Sequence, residues 1–178
     1  MERPVRQFID AARLAIKHEN WYGALALALT MPDICGRISY PKLAKRSEDR
    51  YVLWFDTYLA AQYQGGWNNE QFLTGGDMYA LRCAFLHQGE FDVTDQKARQ
   101  ALERFHLTAP FAGVMHNNRS MNMDDDGKIK NCVLQLSVDI FCEDVCTGVE
   151  KWMADNATDT RISAEIQQLG AIHAGGSF

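Results

Sequence analysis

The stretch whose reading decides the fold is "GGDMYALRCAFLHQG", residues 75–89. At about 100° per residue, Met78, Leu81, Ala84 and Phe85 fall on one helical face suited to a core. Tyr79, Arg82, Cys83, Leu86 and His87 fall on another, apolar at its centre, with Arg82 on one edge and His87 on the other. An ionised arginine in a mostly apolar helix is costly unless it meets an anion or hydrogen-bond acceptors. The stretch therefore predicts both a packed helix and a place where charge is needed. Thr74 and Asp77 have the spacing of a capping box at its start, and Gly89 is a natural stop.

Upstream, Val5, Phe8, Ile9, Ala12 and Ile16 recur at helical spacing and predict a helix over 4–18. "NWYGALALALTM", residues 20–31, predicts a second helix that Pro32 and Asp33 should stop. Gly36 and Pro41 mark an expected connecting loop. Ser47 is the expected N-cap of "EDRYVLWFDTYLAAQY", whose Glu48 and Asp49 suit the positive end of a helix dipole, and Gly65 and Gly66 should end it.

Downstream of Gly89, "TDQKARQALE", residues 94–103, reads as a short helical patch. "RFHLTAP" and "NCVLQLSV" are richer in strand formers and predict a small β-hairpin or strand pair, inserted at about 103–137. Between them, "HNNRSMNMDDDG" is polar and turn-rich and is expected to be a long loop. Val138, Phe141, Val145, Val149 and Trp152 restore helical spacing and predict a late core helix. The expected architecture is mainly α, a single helical domain over 1–170 with the strand pair inserted before its last helix. Residues 171–178 are expected to form a frayed tail.

The chain has 178 residues, 47% hydrophobic and 23% charged, enough for a continuous core without metal or disulfide staples. No run approaches the roughly 18–20 uninterrupted apolar residues of a membrane span, and the first residues lack a secretory pattern, so a cytoplasmic protein with no membrane contact is expected. Cys35, Cys83, Cys132, Cys142 and Cys146 are odd in number and mostly lie among apolar neighbours, as reduced buried thiols do. A formal net charge of −5 excludes a surface that tracks nucleic acid throughout. The basic excess is local: "GRISYPKLAKRSEDR", residues 36–50, supplies Arg37, Lys45, Arg46 and Arg50 as candidate phosphate contacts, against the simpler reading of a solvated basic loop.

Three metal or phosphate patterns fail on spacing. "DDDGKIKNCVLQ" lacks the carboxylate a calcium loop needs at its twelfth position. Cys132, Cys142 and Cys146 form no paired zinc knuckles, and the glycine pairs lack the lysine and hydroxyl of a phosphate loop. No metal and no cofactor are expected.

"LRCAFLHQG" resembles the R-x4-6-H motif of the HEPN superfamily, small helical bundles that often act as metal-independent ribonucleases. Arg13 with His18 and Arg99 with His106 match the same expression. Only Arg82 and His87, however, share an otherwise apolar helix that ends at a glycine. "MPDICGRISYP" and "RYVLWFDTYL" extend the resemblance, to uncharacterised bacterial HEPN-like proteins, over roughly the first half of the chain. Active members often carry a polar residue directly after the motif arginine, where this chain has Cys83.

The resemblance implies a homodimer with its cleft at the two-fold axis, Arg82 and His87 as catalytic residues, and Tyr79, Cys83 and Leu86 at the interface. Metal-free RNA cleavage needs a base for the 2'-hydroxyl, an acid for the leaving 5'-oxygen and a cation for the phosphoryl oxygens. An arginine fork suits the last role and an imidazole either of the first two. One histidine per chain leaves the pair of proton-transfer roles to two copies. The alternative expectations are a silent module that binds a nucleotide or a protein in the same cleft, and a purely structural dimer. The sequence leaves open whether such a chain works with an antitoxin partner, in phage defence or in neither.

Overall fold

The computed structural model describes residues 3–43, 46–65, 69–110, 115–127 and 129–170; the expected tail at 171–178 and Lys45 lie outside them. Among the described residues the chain is mainly α, with α1 at Arg3–Lys17, α2 at Trp21–Ser39, α3 at Ser47–Tyr58, α4 at Gly75–Gln88, α5 at Val138–Asp155 and α6 at Thr160–Gln167. Short strands β1 (Gln64–Gly65) and β2 (Glu70–Gln71) pair antiparallel between α3 and α4. The longer strands β3 (Arg104–Thr108), β4 (Asn118–Met123) and β5 (Ile129–Ser137) precede α5.

α1 buries Val5, Ile9 and Ala12. Its exposed side reaches α5 through Arg13, which bonds Glu143 at 2.6 Å and Glu150 at 2.8 Å. α2 is capped by Asn20, whose side chain accepts from the Gly23 N–H. It does not stop at Pro32 as expected. The residues after the proline keep the apolar spacing, and burial of Cys35 and Ile38 offsets a helix-interior proline cost of about 3 kcal/mol. Gly36, expected in a loop, is inside the helix, where a Cβ would stand 2.7 Å from the Arg50 carbonyl oxygen. The α2–α3 contact is a backbone approach that needs glycine.

α3 begins at its expected cap, one residue earlier than expected. Arg46 is the N-cap, and the Ser47 hydroxyl is bonded to the Tyr79 hydroxyl at 2.6 Å instead. α3 ends at Tyr58, before Gly65, and a 3-10 turn at Ala60–Tyr63 leads into β1. The expected helical patch at 94–103 is a run of turns. Its backbone N–H groups at Gln100, Ala101 and Leu102 donate to the Asp77 carboxylate at 2.8–3.1 Å rather than to one another along a helix.

The strand order is β3-β5-β4, with β3 parallel and β4 antiparallel to the central β5. The two predicted strands therefore pair with each other, as parallel neighbours rather than as a hairpin. The hairpin partner of β5 is β4, which falls inside the segment expected to be loop. Cys132, Leu134 and Leu136 alternate inward from β5 and join Phe105 of β3. They meet Phe141, Val145, Val149 and Trp152 of α5 in one hydrophobic cluster with the helices.

Candidate functional site

α4 positions the site. Thr74 caps it by accepting from the Asp77 N–H, and Gly89, at φ 73°, turns the chain out in the left-handed conformation that glycine tolerates. Met78, Leu81 and Ala84 are buried as their face predicts, and Ala80 is buried with them. Phe85 is half-buried, stacked between Tyr22 and Phe91.

The opposite face brings the two motif residues together. The Arg82 Nη1 lies 3.3 Å from His87 Nε2, although the two positions are about 140° apart around the helix. A long arginine stem folds along the helix to close that gap. Since a guanidinium nitrogen can only donate, a hydrogen bond across this contact has His87 Nε2 as its acceptor. The other arm, Nη2, donates to Asp33 of α2 at 3.1 Å. Arg82 and Asp33 are each about one-fifth exposed, at 20% and 23%, so the pair is accessible from one side only. The Arg82 Nε is buried without a partner.

The remaining contacts fix the arginine from below. Its Cζ stands 5.8 Å from the Tyr79 ring centroid, a cation–π distance. Tyr79 packs edge-on against Tyr51 at 5.3 Å and is bonded to Ser47. Burial of the guanidinium opposes its charge, but Cys83 and Asp33 outweigh this and hold the Arg82 pKa above its ordinary value. Burial likewise raises the Tyr79 phenol, so Tyr79 stays protonated and is not a base at neutral pH.

The other predicted residues are distributed as follows. Cys83 and Leu86 are half-buried on α4, and Tyr79 is largely engaged by its own chain. Arg37 and Arg46 are exposed. Arg50 is turned inward and donates to the Leu43 carbonyl at 3.3 Å. The competing motif matches do not form pairs of this kind: Arg13 is committed to Glu143 and Glu150, and Arg99 and His106 stand on either side of the start of β3.

Sequence reasoning missed Asp33, which it took for a helix stop, and the Ser47–Tyr79 bond. An acid at the position where helical spacing continues past Pro32 was the available signal for the first. It also missed a second polar cluster, in which the Tyr63 hydroxyl donates to Asp144 at 2.9 Å and His116 Nε2 faces the same carboxylate at 3.7 Å. The backbone N–H of Ser137 donates to His116 Nδ1 at 3.2 Å, which fixes the ring between β5 and α5.

Among the described residues, no group of three or more His, Cys, Asp or Glu side chains could hold a metal ion, and no helix is long and apolar enough to cross a membrane. Comparison with family models, curated proteins and solved structures finds no match for this chain.

Proposed function

We propose that the chain is a cytoplasmic, HEPN-like endoribonuclease that works without metal, as a homodimer with Arg82 and His87 in the cleft. The observation that carries this reading is the 3.3 Å contact between the Arg82 guanidinium and His87 Nε2 on a face open to solvent from one side. A fixed cation beside an imidazole is the arrangement needed to hold a phosphate and take the proton of the neighbouring 2'-hydroxyl. Asp33 aims the guanidinium, leaving its planar fork directed at the site rather than free to rotate. A second chain, meeting this one across Cys83 and Leu86, would supply the protonated His87 that the leaving oxygen requires.

The ion pair with Asp33 favours a second reading. A guanidinium already neutralised within its own chain also suits a silent binding module, in which Arg82 organises α2 against α4. The purified chain incubated with mixed RNA in EDTA separates the two. The ribonuclease reading expects cleavage to ends bearing 2',3'-cyclic phosphate, abolished in the Arg82→Ala, His87→Ala double variant. Intact RNA, or cleavage equal in the two proteins, leaves the binding module.

A further inference from the structure

Beside this cluster lies a surface cavity of about 350 Å³ lined by Arg37, Ile38, Pro41, Arg50 and Glu165. Arg50 is 9% exposed; among the described residues its Nη1 donates to the Leu43 carbonyl, and its Nε is buried without a hydrogen-bond partner. A buried guanidinium with an unused donor is costly unless an acceptor arrives. Its position is built in, because Gly36 of α2 packs directly on the Arg50 backbone. Arg37, the next residue, brings a second guanidinium to the same cavity from an exposed position.

Two of the cavity's arginines lie one helical turn along the chain from residues of the Arg82 cluster. Arg37 is one turn beyond Asp33 on α2, about 6 Å along the axis and on the same face. Arg50 is likewise one turn beyond Ser47 on α3, and Asp33 and Ser47 are the residues that bond Arg82 and Tyr79. Glu165 of α6 is the one carboxylate among the described residues of the lining, against two arginines. A cationic ligand would meet two like charges here, whereas an anion can accept from both forks.

The geometry points to this cavity as a phosphate subsite, with Arg37 and Arg50 gripping a phosphate other than the one at Arg82 and His87. In its oligonucleotide form the inference rests on the ribonuclease reading; in its simplest form, binding of inorganic phosphate, it does not. The strand would run from Arg82 along the α2 face that carries Asp33 and Arg37.

The test uses the full chain with two probes, inorganic phosphate and a short 2'-O-methylated oligoribonucleotide that this chemistry cannot cleave, followed by calorimetry at low salt and by NMR shifts of arginine side chains. Both probes are expected to bind and to shift the Arg50 Nε resonance. Arg37→Ala should weaken the oligonucleotide about tenfold, the scale of one charge-assisted hydrogen bond, and Glu165→Gln should tighten it. Arg50→Gln should remove phosphate binding; if that variant does not fold, Arg37→Ala and Glu165→Gln carry the decision. The Arg82→Ala, His87→Ala double variant should still bind phosphate here. A chain that binds phosphate through Arg37 and Arg50 but cuts no RNA sinks the ribonuclease reading and leaves the subsite standing. Absence of phosphate binding, or affinities for both probes indifferent to Arg37→Ala and Glu165→Gln, overturns the subsite.

Discussion

Arg82 of α4 donates to Asp33 of α2 at 3.1 Å while its other arm meets His87 at 3.3 Å, so one guanidinium ties two helices and a histidine together. Such a partly buried pair should couple measurably. In a double-mutant cycle with Asp33→Ala and Arg82→Met, urea unfolding is expected to give a coupling energy of about 1–2 kcal/mol. A coupling within error of zero would mean that the two side chains meet without stabilising the fold.

Asp77 is the acid on which the loop before β3 depends. Its buried carboxylate accepts from the N–H groups of Gln100, Ala101 and Leu102 and from the Thr74 hydroxyl. Asp77→Ala strands several buried donors and should cost at least about 3 kcal/mol in urea unfolding. Asp77→Asn keeps one acceptor oxygen and should cost less. Equal and small losses for the two would show that the loop finds other acceptors.

These two acids also mark where the sequence was legible and where it was not. α1, α4 and α5 follow their apolar spacing because each lays one stripe on the core. α2 outruns its predicted stop because burial beyond Pro32 outweighs a local penalty, a tertiary gain invisible to a rule about single residues. β4, "NRSMNM", has neither alternation nor strand formers, since it is an edge strand with mostly exposed side chains. It is held by its pairing with β5 and by Arg119, which reaches Glu70 of β2 at 2.7 Å. The predicted helix at 94–103 fails for a related reason, because Asp77 supplies its backbone donors with a better acceptor from outside. Arg82 and His87 were readable as a pair. Their distance, and Asp33 between helices, depend on how α2 crosses α4, which periodicity does not encode.

The link between α1 and α5 should be sensitive to acid. Hydrogen bonds from Arg13, ahead of the attraction of Arg13 and Arg6, lower the Glu150 pKa below its ordinary value. A lowered folded pKa stabilises the fold above the ordinary carboxylate range and loses that contribution as pH falls through the folded value. The pair is largely open to solvent, so Glu150→Gln should cost only about 0.5–1 kcal/mol at neutral pH, or roughly 1–4 °C in Tm. The Tm difference between the two proteins should shrink between about pH 5 and pH 3. Asp92, held down to about 2 by Thr94 and then Arg104, adds its own loss below about pH 4, but equally in both proteins. A Tm difference that is constant with pH would contradict the Glu150 contribution.

The cysteines should separate by access. Burial raises the thiols of Cys35 and Cys142 well above the ordinary range and that of Cys146 to about 12, and Cys132 is buried too. Only Cys83 is half-buried. Brief iodoacetamide treatment of the native protein should therefore modify Cys83 first, and all five should react in denaturant. Peptide mass mapping that finds Cys142 or Cys146 modified as fast as Cys83 would argue against the packing of α5.

The riskiest expectation concerns Arg82→Lys in the RNA-cleavage reading. A lysine keeps one positive charge at the site but cannot touch Asp33, His87 and a phosphate at once, because its ammonium is a single point on a flexible stem. The planar fork reaches both side chains in the wild-type geometry, with Nη2 on Asp33 and Nη1 toward His87. Substrate affinity should then fall little, while kcat falls about 10²-fold or more, the loss expected when charge on the phosphoryl group is no longer met by an oriented donor. His87→Ala should lower kcat on the same scale through lost proton transfer. If base and acid are the His87 residues of two chains, log kcat against pH should be bell-shaped, with one imidazole neutral while the other is protonated. Mixed dimers locate the roles: an intact chain paired with an Arg82→Ala, His87→Ala chain should be nearly inactive when each cleft draws on both. Activity at half the wild-type level in that mixture would assign a complete site to each chain, and cleavage that survives Arg82→Lys would remove the fork from the mechanism.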